Sequence, residues 1–401
     1  MNATERRATA GLAVVYGLRM LGLFMILPVF AVYAQGLPGP PPGWQIGLAI
    51  GIYGLSQALL QMPLGMLSDR IGRKPVIIVG MLVFALGSLM AGLAEDMAGI
   101  IAGRALQGAG AISAAVSALL ADVTRDAVRT KAMAILGAGM GAAFTLALVL
   151  GPLVAGWVGV SGIFLLTALL AICALPLISH GIPAAPLQSV ARGSLRQTLA
   201  DTQLLRMNAG IFLLHALLTA WFVAAPVALQ ASLGMGTDEH WKLYLPILLA
   251  SLLAVFPLIR WAEGSAGRLR LSMLAAITVL LGASLLAAVG QALALPLVAA
   301  VLLFFVGFNY LEATLPSLIS RMAPPDRKGA ALGAYATAQF LGAFAGGMLG
   351  GIGLQLWGVA GVFAASATLP LIWFLFAIGL RPPAPAGQQR EDVQWRAVST
   401  K

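Results

Sequence analysis

Long apolar stretches restrict the possible folds of this chain more than any other sequence feature. Stretches of 18 or more residues without a charged residue recur from one end to the other. With 401 residues, 60% hydrophobic and 9% charged, the chain has far more apolar sequence than a soluble core needs. Inside a bilayer each segment must satisfy its own backbone hydrogen bonds, and the abundant Leu, Ala, Val and Gly favour helices. We therefore predict an all-α membrane protein.

A hydropathy window of about 20 residues predicts twelve transmembrane helices. They cover residues 10–34, 45–67, 75–94, 98–121, 131–155, 158–180, 205–229, 241–260, 271–290, 294–319, 329–353 and 358–380. The first is too long for a signal peptide, so we expect it to be retained. The longest connection is polar and rich in Pro and Gly, and it divides the helices six and six. The predicted domains are an N-terminal bundle at 1–180, a linker at 181–204, a C-terminal bundle at 205–380 and a tail at 381–401.

The distribution of basic residues predicts the orientation. Of the 24 Lys and Arg residues, 21 lie in the termini and in every second connection, and only Arg19, Arg104 and Lys242 fall outside this pattern. By the positive-inside rule, both termini and the linker are cytoplasmic. The net charge of +10 is therefore explained by topology, and we expect no nucleic-acid partner.

Several chemistries have no support in the sequence. The single cysteine, Cys173, excludes an intramolecular disulfide and a Cys-rich metal site. No Walker-type nucleotide loop is present, and no His, Cys and Asp residues have metal-ligand spacing. We expect no cofactor, no metal and no enzymatic activity, so transport would be driven by an ion gradient or run downhill.

Three motifs resemble those of the major facilitator superfamily. GMLSDRIGRKP, at 65–75, resembles the loop between its second and third helices. GRALQGAGA, at 103–111, is similar to its fourth-helix motif, and GPLVAG, at 151–156, to its Gly-Pro antiporter motif, although Ala147 and Ala155 stand where glycines are usual. The matching residues are Gly65, Asp69, Arg70, Gly72, Arg73 and Lys74 in the first motif, Arg104, Gln107 and Gly108 in the second, and Gly151, Pro152 and Gly156 in the third.

The resemblance implies a fold and a class of function. The fold would be twelve helices in two pseudosymmetric six-helix bundles. Longer stretches, including LRMLGLFMILPV at 18–29, look like the YajR-type branch of proton-linked bacterial drug transporters. This implies a monomer in the bacterial inner membrane that handles protons and a small-molecule substrate. We expect the chain to lack the soluble C-terminal domain that this branch often carries.

The resemblance also implies a conformational latch at the first motif. Asp69 would face the start of the eleventh helix, near residues 326–328, and Arg73 would reach Asp122 at the end of the fourth. Spacing of four residues allows Asp69 and Arg73 to share partners on a helix. The alternative is a tight cytoplasmic turn that only obeys the positive-inside rule, which is the expected role of Arg70 and Lys74.

Four ionisable residues lie inside predicted spans, where an unpaired charge is costly. They are Arg19, Arg104, His215 and Glu312, in the first, fourth, seventh and tenth spans. In the family these four helices line the central cavity. We predict that Glu312 carries a proton, that Arg19 is its cation in one conformation, and that His215 is a secondary proton site.

Each of these residues also has a purely structural interpretation. Arg104 could only bridge helices, or it could replace Arg19 as the cation. His215 could be a neutral packing residue, Arg19 could extend to the membrane surface, and Glu312 could be permanently paired.

These features predict a proton-coupled exporter of small amphipathic or drug-like molecules that works by alternating access. One alternative is a proton-linked transporter of a sugar or an organic anion, which two cavity arginines would suit. An alternative of another class is a membrane sensor or scaffold that transports nothing.

Overall fold

The computed structural model describes residues 1–183, 195–324 and 327–382. Part of the predicted linker, 184–194, and most of the predicted tail, 383–401, lie outside the described residues. Within the described ranges every regular element is helical, and ten helical segments are long and apolar enough to cross a membrane. The prediction of an all-α membrane protein is confirmed.

Thirteen α-helices follow one another along the described chain. They are α1 (Ala3–Phe24), α2 (Leu27–Gln35), α3 (Gly43–Ile71), α4 (Arg73–Leu93), α5 (Met97–Ala109), α6 (Ser113–Asp122), α7 (Asp126–Pro176), α8 (Leu195–Ala200), α9 (Thr202–Leu233), α10 (Trp241–Ala262), α11 (Ala266–Gly290), α12 (Ala294–Met322) and α13 (Lys328–Ala377). A π-helical turn, Leu177–Gly181, follows α7, and a 3-10 turn, Thr237–Glu239, precedes α10.

Two predicted spans are each built from two helices. The first consists of α1 and α2, and Pro28 lies in the first turn of α2. Proline has no backbone N–H, and its ring clashes with the preceding turn, so it favours a break at this place. The fourth span consists of α5 and α6, with the break at Gly110–Ile112.

Helices α7 and α13 each contain two spans. They have 51 and 50 residues, and α7 would be about 77 Å long if it were straight, twice what a bilayer requires. Each is interrupted by one glycine in the left-handed region, Gly159 with φ 70° and Gly358 with φ 65°. The surrounding sequences, WVGVSGIF from 157 and WGVAGVF from 357, are alike. With both helices counted as two spans, the described residues cross the membrane twelve times, as predicted.

Glycines on two sides of α13 allow close helix packing. On one side a Cβ atom at Gly47 of α3 would lie 2.1 Å from the carbonyl oxygen of Gly347. On the other side a Cβ atom at Gly346 would lie 2.0 Å from the carbonyl oxygen of Ala216 in α9. Helix α13 therefore contacts α9 in its own half of the chain and α3 in the other half.

The two halves of the described chain are residues 1–183 and residues 195–324 with 327–382. Contacts between α3 and α13 extend as far as Gln61 and Thr337, whereas the buried apolar packing between the halves is concentrated at one side of the membrane. We call the side that carries the basic connections the basic face, and the other side the opposite face. One buried apolar cluster joins Phe30 and Leu148 near the opposite face to Trp221 and Leu229 of the second half. A second cluster, which includes Leu12, lies within the first half. The structure is thus closed between the halves towards the opposite face.

Candidate functional site

The first motif forms an ion-pair cluster at the basic face. The Arg73 guanidinium lies between two carboxylates: its Nε atom is 3.0 Å from Oδ2 of Asp122, and a second nitrogen contacts Asp69. The side chains of Arg73 and Asp122 are each only 10% exposed, so solvent screens this pair weakly. Gly72, with φ 102°, makes the turn between α3 and α4. The structure brings together the Asp69, Arg73 and Asp122 that the sequence singled out.

The remaining residues of this motif have smaller roles in the structure. A Cβ atom at Gly65 would lie 3.0 Å from the Ala114 side chain, so Gly65 allows α3 to pack against α6. Arg70 is exposed, and Lys74 donates a hydrogen bond to the carbonyl oxygen of Ser179 over 3.1 Å. Because residues 325 and 326 lie outside the described ranges, the approach of Asp69 to the start of the eleventh span stays a prediction.

Arg104 ties two helices together. Its Nε and Nη2 atoms donate to the carbonyl oxygens of Ala49 and Ile50 in α3, each over 3.1 Å, and Nη1 donates to Oε1 of Gln107 over 2.9 Å. Gln107 in turn donates to Oγ of Ser88 over 2.6 Å. Each of the three guanidinium nitrogens thus has a partner in the first half, which favours the architectural interpretation of Arg104. Gly108 belongs to the same contact, because a Cβ atom there would lie 2.3 Å from the carbonyl oxygen of Tyr53.

Arg19 is completely buried in the first half and does not extend to the membrane surface. Its Nη2 atom donates to Oε1 of Gln57 over 2.8 Å and to the carbonyl oxygen of Gly110 over 3.1 Å. Its guanidinium carbon lies 5.0 Å from the centre of the Phe84 ring. Gly110 is at the break between α5 and α6, so Arg19 satisfies a carbonyl group that this break releases. The structure does not place Arg19 and Glu312 within ion-pair distance.

Glu312 and His215 face each other in the second half. The Oε2 atom of Glu312 lies 3.9 Å from Nε2 of His215, too far for a hydrogen bond. This oxygen is buried and has no hydrogen-bond partner within the described ranges. The Glu312 side chain as a whole is 23% exposed, so its carboxyl group borders accessible space. The structure therefore brings together two of the three residues predicted to handle protons.

A third polar residue completes this pair. The Nε2 atom of Gln339, on α13, lies 2.8 Å from Nε2 of His215, and Nδ1 of His215 lies 3.3 Å from the carbonyl oxygen of Ile211. In this arrangement the Gln339 amide donates to Nε2 and the Nδ1–H group donates to Ile211, which is the pattern of a neutral imidazole. Tyr335, one turn before Gln339, is buried, and its hydroxyl group has no hydrogen-bond partner within the described ranges.

The third motif lies where α7 meets its neighbours. A Cβ atom at Gly151 would lie 2.4 Å from the carbonyl oxygen of Met25, at the break between α1 and α2. One at Gly156 would lie 2.7 Å from Cβ of Asp238 in the other half. Pro152 is inside α7. The motif thus combines tight packing within the first half with a contact between the halves at the opposite face.

Comparison with known proteins identifies the family of this chain. The sequence profile described as Major Facilitator Superfamily matches residues 12–347 and 248–401. The chain belongs to the Major Facilitator Superfamily. Members of this superfamily are transporters, so the chain is a multi-pass membrane transporter of the secondary type and not an enzyme.

Two curated proteins and one solved structure are similar to the chain. It is 43% identical to the inner membrane transport protein YajR of Escherichia coli K12, over 98% of this chain and 87% of that protein. It is 26% identical to multidrug resistance protein MdtH of Aeromonas hydrophila, over 83% of each chain. The crystal structure of a bacterial homologue of the lysosomal transporter Spinster, inward-facing and occupied, matches the fold with a TM-score of 0.73 at 14% identity, over 94% of this chain and 97% of that one.

Proposed function

We propose that the protein exports small amphipathic molecules in exchange for protons, and that Glu312 carries the proton. The observation that supports this proposal most is the Glu312–His215 pair. A buried carboxylate oxygen without a hydrogen bond is unfavourable, whereas a protonated carboxyl group has an O–H that it can donate. Nε2 of His215, 3.9 Å away, is the acceptor that a small movement of α9 or α12 would bring into reach.

The hydrogen bond from Gln339 determines when His215 can accept a proton. While Gln339 donates to Nε2, that nitrogen cannot take up a proton, and His215 stays neutral. If α13 moves relative to α9, Nε2 is released and becomes available to Glu312. Relative movement of the helices would thus control where the proton resides, which is the coupling that alternating access requires.

The contacts of Arg104 and the burial of Arg19 favour this substrate class over an organic anion. Each guanidinium nitrogen of Arg104 donates to a carbonyl or amide oxygen of its own half, and Arg19 is buried behind Tyr53 and Phe84. An anionic substrate would have to displace carbonyl and amide oxygens before it could bind Arg104. At Arg19, Nε and Nη1 have no hydrogen-bond partner within the described residues, and only burial keeps an anion away from them. The name of the relative MdtH, a multidrug resistance protein, supports an amphipathic substrate for this chain.

The deciding experiment uses purified protein in liposomes. With a pH gradient imposed, wild-type protein should accumulate a fluorescent amphipathic probe, and Glu312→Gln, which mimics the neutral acid, should abolish accumulation but retain exchange of the probe. Glu95→Gln, at an exposed acid of the opposite face, is the matched control and should behave as wild type. Proton movement that survives in Glu312→Gln would place the coupling group elsewhere. A wild-type protein that moves neither protons nor probe would favour a sensor or scaffold.

A further inference from the structure

Four phenylalanines form a cluster where the two halves meet. Phe144 of α7 lies at its centre, with ring centroids 5.1 Å from Phe24, 5.6 Å from Phe308 and 6.5 Å from Phe222. Phe24 and Phe144 belong to the first half, whereas Phe222 and Phe308 belong to the second. We call these residues the phenylalanine cluster. Within it, Phe144 is the ring that contacts both rings of the other half.

The phenylalanine cluster lies between the Glu312–His215 pair and the opposite face. Phe308 precedes Glu312 by one helical turn, about 6 Å along α12 towards the opposite face. Its ring is also 6.2 Å from the ring of His215. Phe222 is seven residues beyond His215 on α9, about 10 Å further in the same direction. A path from the proton-carrying pair to the opposite face would therefore meet these rings first.

Burial along α7 changes at the same level. Gly141, one turn nearer the basic face, is exposed, and an added Cβ atom there would meet nothing within 4 Å. Phe144 is only 8% exposed, and Ala147 and Leu148 beyond it are fully buried. Closely packed aromatic rings leave no room for water, and without water a proton has no path between them.

We infer that Phe144 is the gate residue that closes the route from the Glu312–His215 pair to the opposite face. This inference rests on the proposed function, because it assumes that the route exists and opens. In the closed structure Phe144 packs between Phe222 and Phe308. When the halves separate at the opposite face, the Phe144 ring loses its contacts with Phe222 and Phe308. Its contact with Phe24 is kept, because both residues belong to the first half.

Two readouts of Phe144→Ala test this inference. The first is the distance between spin labels at Gln35 and Ala231, exposed positions at the opposite face in different halves, in a background without Cys173. The second is proton leak into liposomes without substrate. We expect the open population and the leak each to rise about tenfold, because the contact that closes the route is lost. Phe24→Ala removes a ring contact within one half and should leave the label distance near wild type.

Phe144→Leu keeps most of the buried volume and covers the case in which the alanine variant does not fold. It should raise both readouts less than alanine but measurably. Folded Phe144 variants with wild-type distances and wild-type leak would overturn the inference, and so would an equal effect of Phe24→Ala on the label distance. The distance measurement does not depend on the coupling ion. An open gate in Phe144→Ala together with no proton coupling in wild type would therefore refute the proposed function and leave the gate standing.

Discussion

Replacing Gly47 by alanine should shift the protein towards the state that is open at the opposite face. A Cβ atom at this position would lie 2.1 Å from the carbonyl oxygen of Gly347 and 2.8 Å from Cα of Gly351. Non-bonded carbon and oxygen atoms need roughly 3 Å, so α3 and α13 must separate by about 1 Å. Overpacking of this kind costs about 1–3 kcal/mol. The open state is free of the clash, so its population should rise about 5- to 150-fold.

The chain offers a matched control for this prediction. A Cβ atom at Gly346 would lie equally close, 2.0 Å, to the carbonyl oxygen of Ala216, but this contact is within one half and persists in every state. Gly346→Ala should therefore lower the melting temperature and leave the Gln35–Ala231 label distances unchanged, whereas Gly47→Ala should shift those distances. If both variants lowered the melting temperature equally and neither changed the distances, the α3–α13 contact would be permanent, and our account of it would be wrong.

Three further predictions address the other parts of the structure. Asp69→Asn should weaken the ion pairs of Arg73 by about 1–2 kcal/mol and raise the population that is open at the basic face about tenfold. The measurement is the distance between spin labels on basic-face connections of the two halves. Unchanged distances would leave only the tight-turn interpretation. Arg104→Lys loses the planar geometry that reaches two carbonyl groups, so thermal unfolding should show a loss of about 1–3 kcal/mol of stability while proton coupling persists. Loss of proton coupling in this variant would instead support Arg104 as the cation that pairs with Glu312. A cysteine at 236 should react with an impermeant thiol reagent from outside the cell, and one at 194 should not. Labelling at 194 in intact cells would contradict the predicted orientation in the membrane.

The sequence predicted the spans well because the bilayer imposes the same demand on every helix. The second predicted span, 45–67, corresponds to Gly43–Ile71, and the tenth, 294–319, to Ala294–Met322. The hydropathy pattern did not predict that α7 and α13 each run through two spans. Hydropathy reports where apolar residues occur, and a single glycine in the left-handed region changes the direction of the chain without a polar loop.

The candidate site was predicted in part. Ionisable residues are rare in apolar helices, so Glu312 and His215 could be recognised from the sequence as candidate functional residues. Their third partner, Gln339, is uncharged and lies 124 positions from His215 in the chain, so only the three-dimensional packing shows that it matters. Arg19 was expected beside Glu312 in one of two conformations, and in the conformation of this structure its partners are Gln57 and a carbonyl group released by a helix break. Backbone carbonyl groups have no signature in a sequence, so partners of this kind cannot be predicted from it.

The two glycine turns at Gly159 and Gly358 have a consequence for how the protein sits in the bilayer. Each follows a tryptophan, Trp157 and Trp357, whose side chains are 80% and 62% exposed. Tryptophan partitions to the level of the lipid headgroups, and these turns have no polar loop that could extend beyond it. The pair therefore fixes the depth of both halves at one leaflet. In a bilayer of different thickness, the mismatch between helix length and hydrocarbon thickness would be accommodated at the basic face. There, Lys and Arg side chains at the helix ends can extend to reach the headgroups.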